Sequence, residues 1–412
     1  MGSASLTEET YGAALGVLRG NVTPHGLRTS QAYYNQIWAR DSFISFLGGN
    51  HAGDSKVLHA SRETIDTFAK TRAPLGQIAN FFDLANEQPE FGWSGSTDSS
   101  CWYIIGLSSL YAVTEDRSLL DNPLDAAVDA YRFVRYQDAN NSWLVDSPQG
   151  ADWMDAAIQR TGKTLYNNVL FLAATKCMHS LLSEAERPPC EGLLDYEGLR
   201  ARLNDVFLPG PGSASRISTY WPRLADHMQG RGAADTPRKY YLQYISFSRI
   251  DDHFDTLSNL LCALWGASDT AVSQAMIDFI QKRRLSSPYP VRVLDPPYEK
   301  GDLGYDDIFD AALPPQHKSA PLNYHNGAVW PFVGGFYVCA LYLSHRAEAA
   351  RELEALCRAN RVFRDGEKVG FNEWLDGGTG IARGQYGQSW SAGMYIAAYL
   401  ASRGADPFQF VR

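Results

Sequence analysis

Apolar residues recur at intervals of three and four along almost the whole chain, and that single period points to an all-helical fold. Ser5-Leu6-Thr7-Glu8 has the layout of a capping box, in which the Ser5 hydroxyl accepts from a first-turn amide and Glu8 reaches back. Tyr11, Ala14, Leu15 and Leu18 then form one helix face, which stops at Gly20-Asn21. Val57, Ala60, Thr64, Ile65 and Phe68 repeat the stripe. Asn122-Pro123 supplies a cap and a first-turn proline for Leu124, Ala127, Val128, Tyr131 and Val134. Further stripes cover residues 165–182, 199–207, 257–265, 272–280, 347–356 and 390–400. With helix-like segments after Asp41, Asp98 and Asn326, the total is close to twelve.

Runs of alternating apolar and polar residues are few and short, so no substantial sheet is expected. Twelve helices in 412 residues place a helix and its connection about every 34 residues. Paired helices in that number commonly close into an α/α toroid, with loops at one end forming a pocket. The cluster Pro209-Gly210-Pro211-Gly212 reads as a loop, because stripes of the same texture continue on both sides. A single domain over residues 1–412 is the expectation.

Composition removes other classes. The charge sum is 37 − 46 = −9, which argues against nucleic acid, since phosphate binding relies on clustered Lys and Arg. The basic run Lys282-Arg283-Arg284 closes a helix stripe and complements its C-terminal dipole. No apolar run reaches the roughly 18–20 residues of a membrane span, and the start, Met-Gly-Ser-Ala-Ser, lacks the pattern of a secretory signal. The six cysteines lie far apart with no zinc spacing, as expected for buried thiols in a reducing, cytoplasmic setting. Asp251-Asp252-His253-Phe254-Asp255 reads better as a helix N-cap than as a metal cluster. No Gly-rich phosphate loop follows a strand. Neither a metal nor a cofactor is expected.

The chemistry is concentrated between helices. Five segments each join a tryptophan to a carboxylate or an amide: Tyr34 to Asp41, Thr97 to Trp102, Gly150 to Asp155, Tyr324 to Pro331 and Phe371 to Asp376. A sugar ring offers a weakly apolar face and a girdle of hydroxyls, so its site needs flat aromatic platforms beside Asp, Glu and Asn. Trp38, Trp102, Trp153, Trp330 and Trp374 sit inside these segments, and Trp93 and Trp390 lie near two of them. A tryptophan at a helix start is also a natural core anchor. The joint pattern, seven of ten tryptophans beside polar loop residues, favours a carbohydrate pocket. Glycoside hydrolysis needs two carboxyls, one protonated and one ionised. Asp155 follows Trp153-Met154, and Glu373 lies between Phe371 and Trp374, apolar settings that raise a carboxyl pKa. A cap role for Asp155 and a surface position for Glu373 are the plain alternatives.

These segments resemble, in order, the blocks of the amylo-α-1,6-glucosidase domain of glycogen debranching enzymes, and of alkaline/neutral invertases and processing α-glucosidase relatives. Trp38-Ala39-Arg40-Asp41-Ser42 is similar to the first block, Gly76 to Asn80 and Asp98 to Trp102 to the next two. Trp153-Met154-Asp155-Ala156 with Gly162-Lys163 is similar to the block of the proton donor. Tyr324 to Pro331 resembles a block shared across the group, and Glu373 with Thr379-Gly380 and Trp390 to Gly393 resembles the block of the general base. The resemblance implies an all-α (α/α)6 barrel and an inverting exo-acting α-glycosidase that releases a terminal sugar, glucose first among candidates. It implies Asp155 as general acid and Glu373 as general base. As sugar-contacting residues it implies Trp38, Arg40, Asp41, Trp93, Asp98, Trp102, Asp152, Trp153, Lys163, His325, Asn326, Trp330, Trp374 and Trp390. Arg40 is equally able to pair with a carboxylate and orient it.

Two departures bear on the substrate. Where the debranching pattern carries a Glu soon after Gly-Lys, this chain has Thr164-Leu165-Tyr166-Asn167-Asn168. The large N-terminal portion used around polymeric glucan is absent from the sequence. The expected partner is therefore a small oligosaccharide or α-glucoside, with homo-oligomerisation left open. Other readings of such a barrel are an inverting sugar phosphorylase, a sugar 2-epimerase built on paired histidines, and a sugar-binding protein without turnover.

Overall fold

The computed structural model describes residues 5–31, 33–92, 95–156, 158–230, 238–246, 249–364 and 369–412. The chain runs through α1 (Leu6–Asn21), α2 (Ala39–Gly49), α3 (Ser55–Thr71), α4 (Asp98–Thr114) and α5 (Asn122–Arg135). It continues through α6 (Leu165–Glu184), α7 (Tyr196–Phe207), α8 (Ser213–Ser218), α9 (Pro222–Gly230) and α10 (Thr256–Leu264). Then come α11 (Thr270–Lys282), α12 (Asp307–Ala312), α13 (Pro331–Leu343), α14 (Ala349–Asn360) and α15 (Ser389–Ser402). Each of the twelve stripes coincides with one of these helices. The three without a counterpart in the sequence reading, α8, α9 and α12, are six to nine residues long, too short for a stripe to register. Ser5 caps α1 as expected, accepting from the Glu8 amide at 3.3 Å. Asn122 lies inside α5, which starts without a side-chain cap.

Six helices differ in character from the rest. No charged residue occurs in α10, α13 or α15, and the charges of α2 and α4 lie in their first turns, at Arg40, Asp41 and Asp98. The sixth, α6, carries Lys176 and Glu184 only in its second half. A helix that is apolar on all sides must be covered on all sides. These helices accordingly pack side by side: α2 on α4, α4 on α6, α6 on α10, α10 on α13, α13 on α15, and α15 back on α2. The amphipathic helices flank them, α3 against α2 and α4, α5 against α4 and α6, α7 against α6, α11 against α10, and α14 against α13 and α15. Gly48 and Gly393 let α2 and α15 approach closely, since a Cβ on either would strike the backbone of the other helix.

Neighbouring inner helices touch through their first turns. Arg40 of α2 meets Asp98 of α4, Asp98 meets Tyr166 of α6, and Trp330, just before α13, packs on Trp390 of α15. Strands of two or three residues shape the loops at this end: Gln36–Trp38 beside Phe81–Asp83, Lys163–Thr164 beside Tyr244–Ile245, and Trp374–Leu375 beside Ala382–Arg383. Among the described residues no helix is long and apolar enough to cross a membrane, and all six cysteines are free thiols.

Candidate active site

Asp155 lies in the loop between α5 and α6, and Glu373 on the segment after α14, at the edge of a short strand. Their charges act on one another and on Asp41, and the phenol of buried Tyr324 is within reach of both. Folding thus brings the two carboxyls to one place. Asp155 is open to solvent, yet enclosure by protein pushes its pKa up to about 6, with Arg40 opposing and Asp152 adding to the rise. Solvent access and a raised pKa therefore coexist at this carboxyl.

Glu373 is 4% exposed. Its Oε2 accepts from the Gln385 amide at 2.9 Å and its Oε1 from the Tyr34 hydroxyl at 3.1 Å. Gly384, at φ +63°, makes room, because a Cβ there would strike the Glu373 carboxylate. Burial pushes Glu373 up to about 7, while the Gln385 and Tyr34 donors pull the other way. Asp41, at the start of α2, is also raised to about 7 by burial, against the pull of Arg40.

Arg40 is turned to a carboxylate. Its Nε donates to Asp98 Oδ2 at 2.9 Å, and Asp98 also receives Ser96 Oγ at 2.6 Å and the Tyr166 hydroxyl at 3.2 Å. Burial pushes Asp98 above the usual carboxylate range in spite of these partners. Asp152, 3% exposed, accepts from Arg160 and from the Met154 amide.

The aromatic residues divide. Trp38 is half-buried, packs on Phe81 at 4.6 Å and meets Tyr34 edge-on. His325 stacks on both Tyr324 and Trp330, at 4.0 and 5.2 Å, and those two rings also meet at 5.4 Å. Burial, reinforced by the Arg160 charge, holds its imidazole well below the usual value and therefore neutral. Trp153 abuts His325 and Trp330, Trp374 lies edge-on to Tyr324, and Trp390 stacks on Phe332 at 4.2 Å. The indole N–H groups of Trp38, Trp153, Trp374 and Trp390, and Nδ1 of His325, have no partner among the described residues. These atoms are themselves buried, so what the rings offer at this place is mainly aromatic surface.

Four residues expected to touch sugar are engaged elsewhere. Lys163 is buried, with Nζ donating to Leu144 O and Asp146 Oδ2, each at 2.7 Å, and lying over the Trp221 ring. Asn326 accepts from the Tyr298 amide and donates to the Tyr298 and Ser319 carbonyls, so its amide fixes a turn. Trp102 is fully enclosed and donates to the Tyr166 hydroxyl, and Trp330 donates to Tyr324 O. Both indoles are closed off from solvent. Trp93 lies outside the described residues. Asp255 caps α10 as the sequence anticipated, whereas Asp251 pairs with Arg249 and His253. Tyr34, Tyr166, Tyr324 and Gln385 meet these carboxyls and were not singled out from sequence; Tyr34 and Tyr324 stood in the quoted segments, and Tyr166 in the stretch 164–168 that departs from the debranching pattern. A separate groove of about 610 Å³ along α1 is lined by Val17, Phe363 and Phe371 among others, with no carboxylate among the described residues.

The amylo-alpha-1,6-glucosidase family profile matches residues 19–397. No curated protein matches the sequence. Among solved structures, the chain is similar to the GH63 mannosylglycerate hydrolase of Thermus thermophilus in complex with glucose, at 16% identity and a TM-score of 0.64 over 94% of this chain and 99% of that one. It is also similar to the GH78 rhamnosidase of Bacillus sp. GL1 (13% identity, TM-score 0.61, 97% of this chain, 35% of that one). A bacterial glucoamylase complexed with acarbose gives 13% identity and a TM-score of 0.58 over 98% of this chain and 57% of that one. At these identities the likeness is one of fold. The family match spans nearly the whole sequence, and the chain belongs to the amylo-alpha-1,6-glucosidase family of glycoside hydrolases.

Proposed function

We propose that this chain is an inverting, exo-acting α-glycosidase built as one (α/α)6 toroid over residues 1–412, with the pocket at the end where the inner helices begin. The observation that carries the reading is the pairing of an accessible, desolvated Asp155 with a buried, hydrogen-bonded Glu373, near enough for their charges to act on one another. Asp155 protonates the glycosidic oxygen as the bond to the anomeric carbon breaks. Glu373 takes a proton from the water that attacks that carbon on the opposite face, and the sugar leaves with inverted configuration. Inversion needs space for that water, so the carboxyls should stand about 6.5–9.5 Å apart with substrate bound.

Asp41 and the aromatic side chains of Trp38, Trp374, Trp390 and His325 form the subsite of the terminal sugar. Neutral His325 donates or accepts without adding charge. Glucose is the sugar proposed first. Mannose belongs in the same panel, because one structural neighbour is a mannosylglycerate hydrolase. The aglycone is small.

The test is turnover of p-nitrophenyl α-glycosides and natural disaccharides, with NMR of the first-formed anomer. Release of the β-anomer from an α-glucoside supports the reading. Release of the α-anomer, or phosphate-dependent formation of a sugar phosphate, overturns it.

A further inference from the structure

We propose that Arg160 is a positioning residue for the acid, acting as a clamp that fastens the loop carrying Asp155 to the start of α10. The proposal rests on the reading of Asp155 as proton donor. Arg160 is 2% exposed and bridges two buried carboxylates. Its Nη2 donates to Asp152 Oδ1 at 2.7 Å and its Nη1 to Asp255 Oδ2 at 2.5 Å.

Each carboxylate then passes the constraint on. Asp255 is the N-cap of α10, accepting from the Ser258 amide at 3.1 Å and the Ser258 hydroxyl at 2.6 Å. It is also held by pairing of Phe254–Asp255 with Leu294–Asp295. Asp152 Oδ1 accepts, beside Arg160, the amide of Met154 at 2.8 Å, one residue before Asp155. The route from scaffold to acid is therefore α10, Asp255, Arg160, Asp152, Met154 and Asp155.

This route matters because the acid has so little else to fix it. Among the described residues no side chain donates to the Asp155 carboxyl, and no hydrogen bond from outside reaches the 152–156 backbone. Flanking ties exist on both sides, from Thr97 N to Ala151 O and from Gln159 N to Gly304 O, at 2.9 and 2.8 Å. They hold the ends of the segment and leave its middle to the clamp and to the packing of Trp153. A planar guanidinium engages two carboxylates at once in a fixed geometry, whereas an ammonium is a single point charge. Displacement of a reacting group by about 1 Å costs on the order of 100-fold in rate.

The experiment compares Arg160→Met, Arg160→Lys and Asp155→Asn on two substrates of the sugar that the wild type hydrolyses, an alkyl glycoside and the glycosyl fluoride. Fluoride departs without a proton from an enzyme acid, so a defect in acid placement shows on the alkyl glycoside alone. Arg160→Met should lower kcat on the alkyl glycoside about 100-fold with KM within about threefold, and lower kcat on the fluoride less than about fivefold. Arg160→Lys should recover part of the loss. Should Arg160→Met fail to fold, Asp255→Asn, which keeps a cap oxygen and removes the ionic partner, is expected to give the same leaving-group pattern at smaller amplitude. Equal losses on both substrates, a loss confined to KM, or no loss at all overturn the clamp while leaving the acid assignment standing. If Asp155→Asn itself is insensitive to leaving group, it is the assignment of the acid that fails.

Discussion

Glu373 sits beside a short strand, buried, with each carboxylate oxygen taking a donor, whereas Asp155 sits in a loop, open to water, with no side chain donating to it among the described residues. The contrast fits the two tasks proposed for them. A base must be ionised when water arrives, and donors from Tyr34 and Gln385 favour the charged form against the cost of burial. An acid must present its proton to a leaving oxygen, and a resident donor would favour the carboxylate and compete with that oxygen. One carboxyl is held directly; the other is held through the backbone that carries it.

The strongest way to break this comparison is to remove each charge in turn. Glu373→Gln and Asp155→Asn should each lower kcat/KM on an unactivated glycoside by about 10³-fold or more. On the glycosyl fluoride the Asp155→Asn variant should recover most of its rate and the Glu373→Gln variant none. Steady-state kinetics on the two substrates decide it, and equal behaviour of the variants would erase the distinction between held base and free acid.

Titration sharpens the same point. Burial raises Asp155 to about 6 and Glu373 to about 7, while turnover needs Asp155 protonated and Glu373 ionised. The pair therefore passes from two protons to none across the range around 6 to 7, and the arrangement that turnover needs exists only within it. The kcat/KM profile should be a bell, with limbs near 6 and 7 and a maximum at about 6.5, midway between them. Below the lower limb both carboxyls are protonated and no base remains; above the upper limb both are ionised and no acid remains. A rate that stays level to pH 9 would contradict the assignment. Tyr34→Phe removes a donor to ionised Glu373, raises its pKa and makes the ionised base rarer. The expectation is a fall of about tenfold in kcat and a move of the upper limb to higher pH.

The helices were legible because a 3.6-residue period survives any tertiary context, and five of the six inner ones announced themselves by lacking charge beyond the first turn. The location of the chemistry was legible too, since carboxylates and tryptophans sit where helices begin. Which side chains face the concavity was not legible. Lys163 and Asn326 stand in the same blocks as Asp155 and His325, yet Lys163 answers to Asp146 and Asn326 to Tyr298. Tyr34 and Arg160 owe their importance to partners 339 and 95 residues away, and no local period encodes such pairings. Lys163→Met tests the revised role: the melting temperature should fall, because a buried charge cluster loses its cation, while kcat/KM stays within about threefold.

The smallest effect comes from the energetic burden of the base itself. Unfolded Glu373 releases its proton near 4.5 and folded Glu373 keeps it up to about 7, so folding takes up a proton between those values. The contribution of this group to stability is full below pH 4.5 and is lost as pH rises through 7. A glutamine never charges and avoids that loss. Glu373→Gln should therefore melt about 2–4 °C above the wild type at pH 8, a gap that shrinks at pH 5. Asp155→Asn should show a smaller gap, because water already reaches that carboxyl. Calorimetry of both variants at the two pH values would measure how much fold stability the buried position of the base gives up, and a larger gain for Asp155→Asn would reverse the comparison.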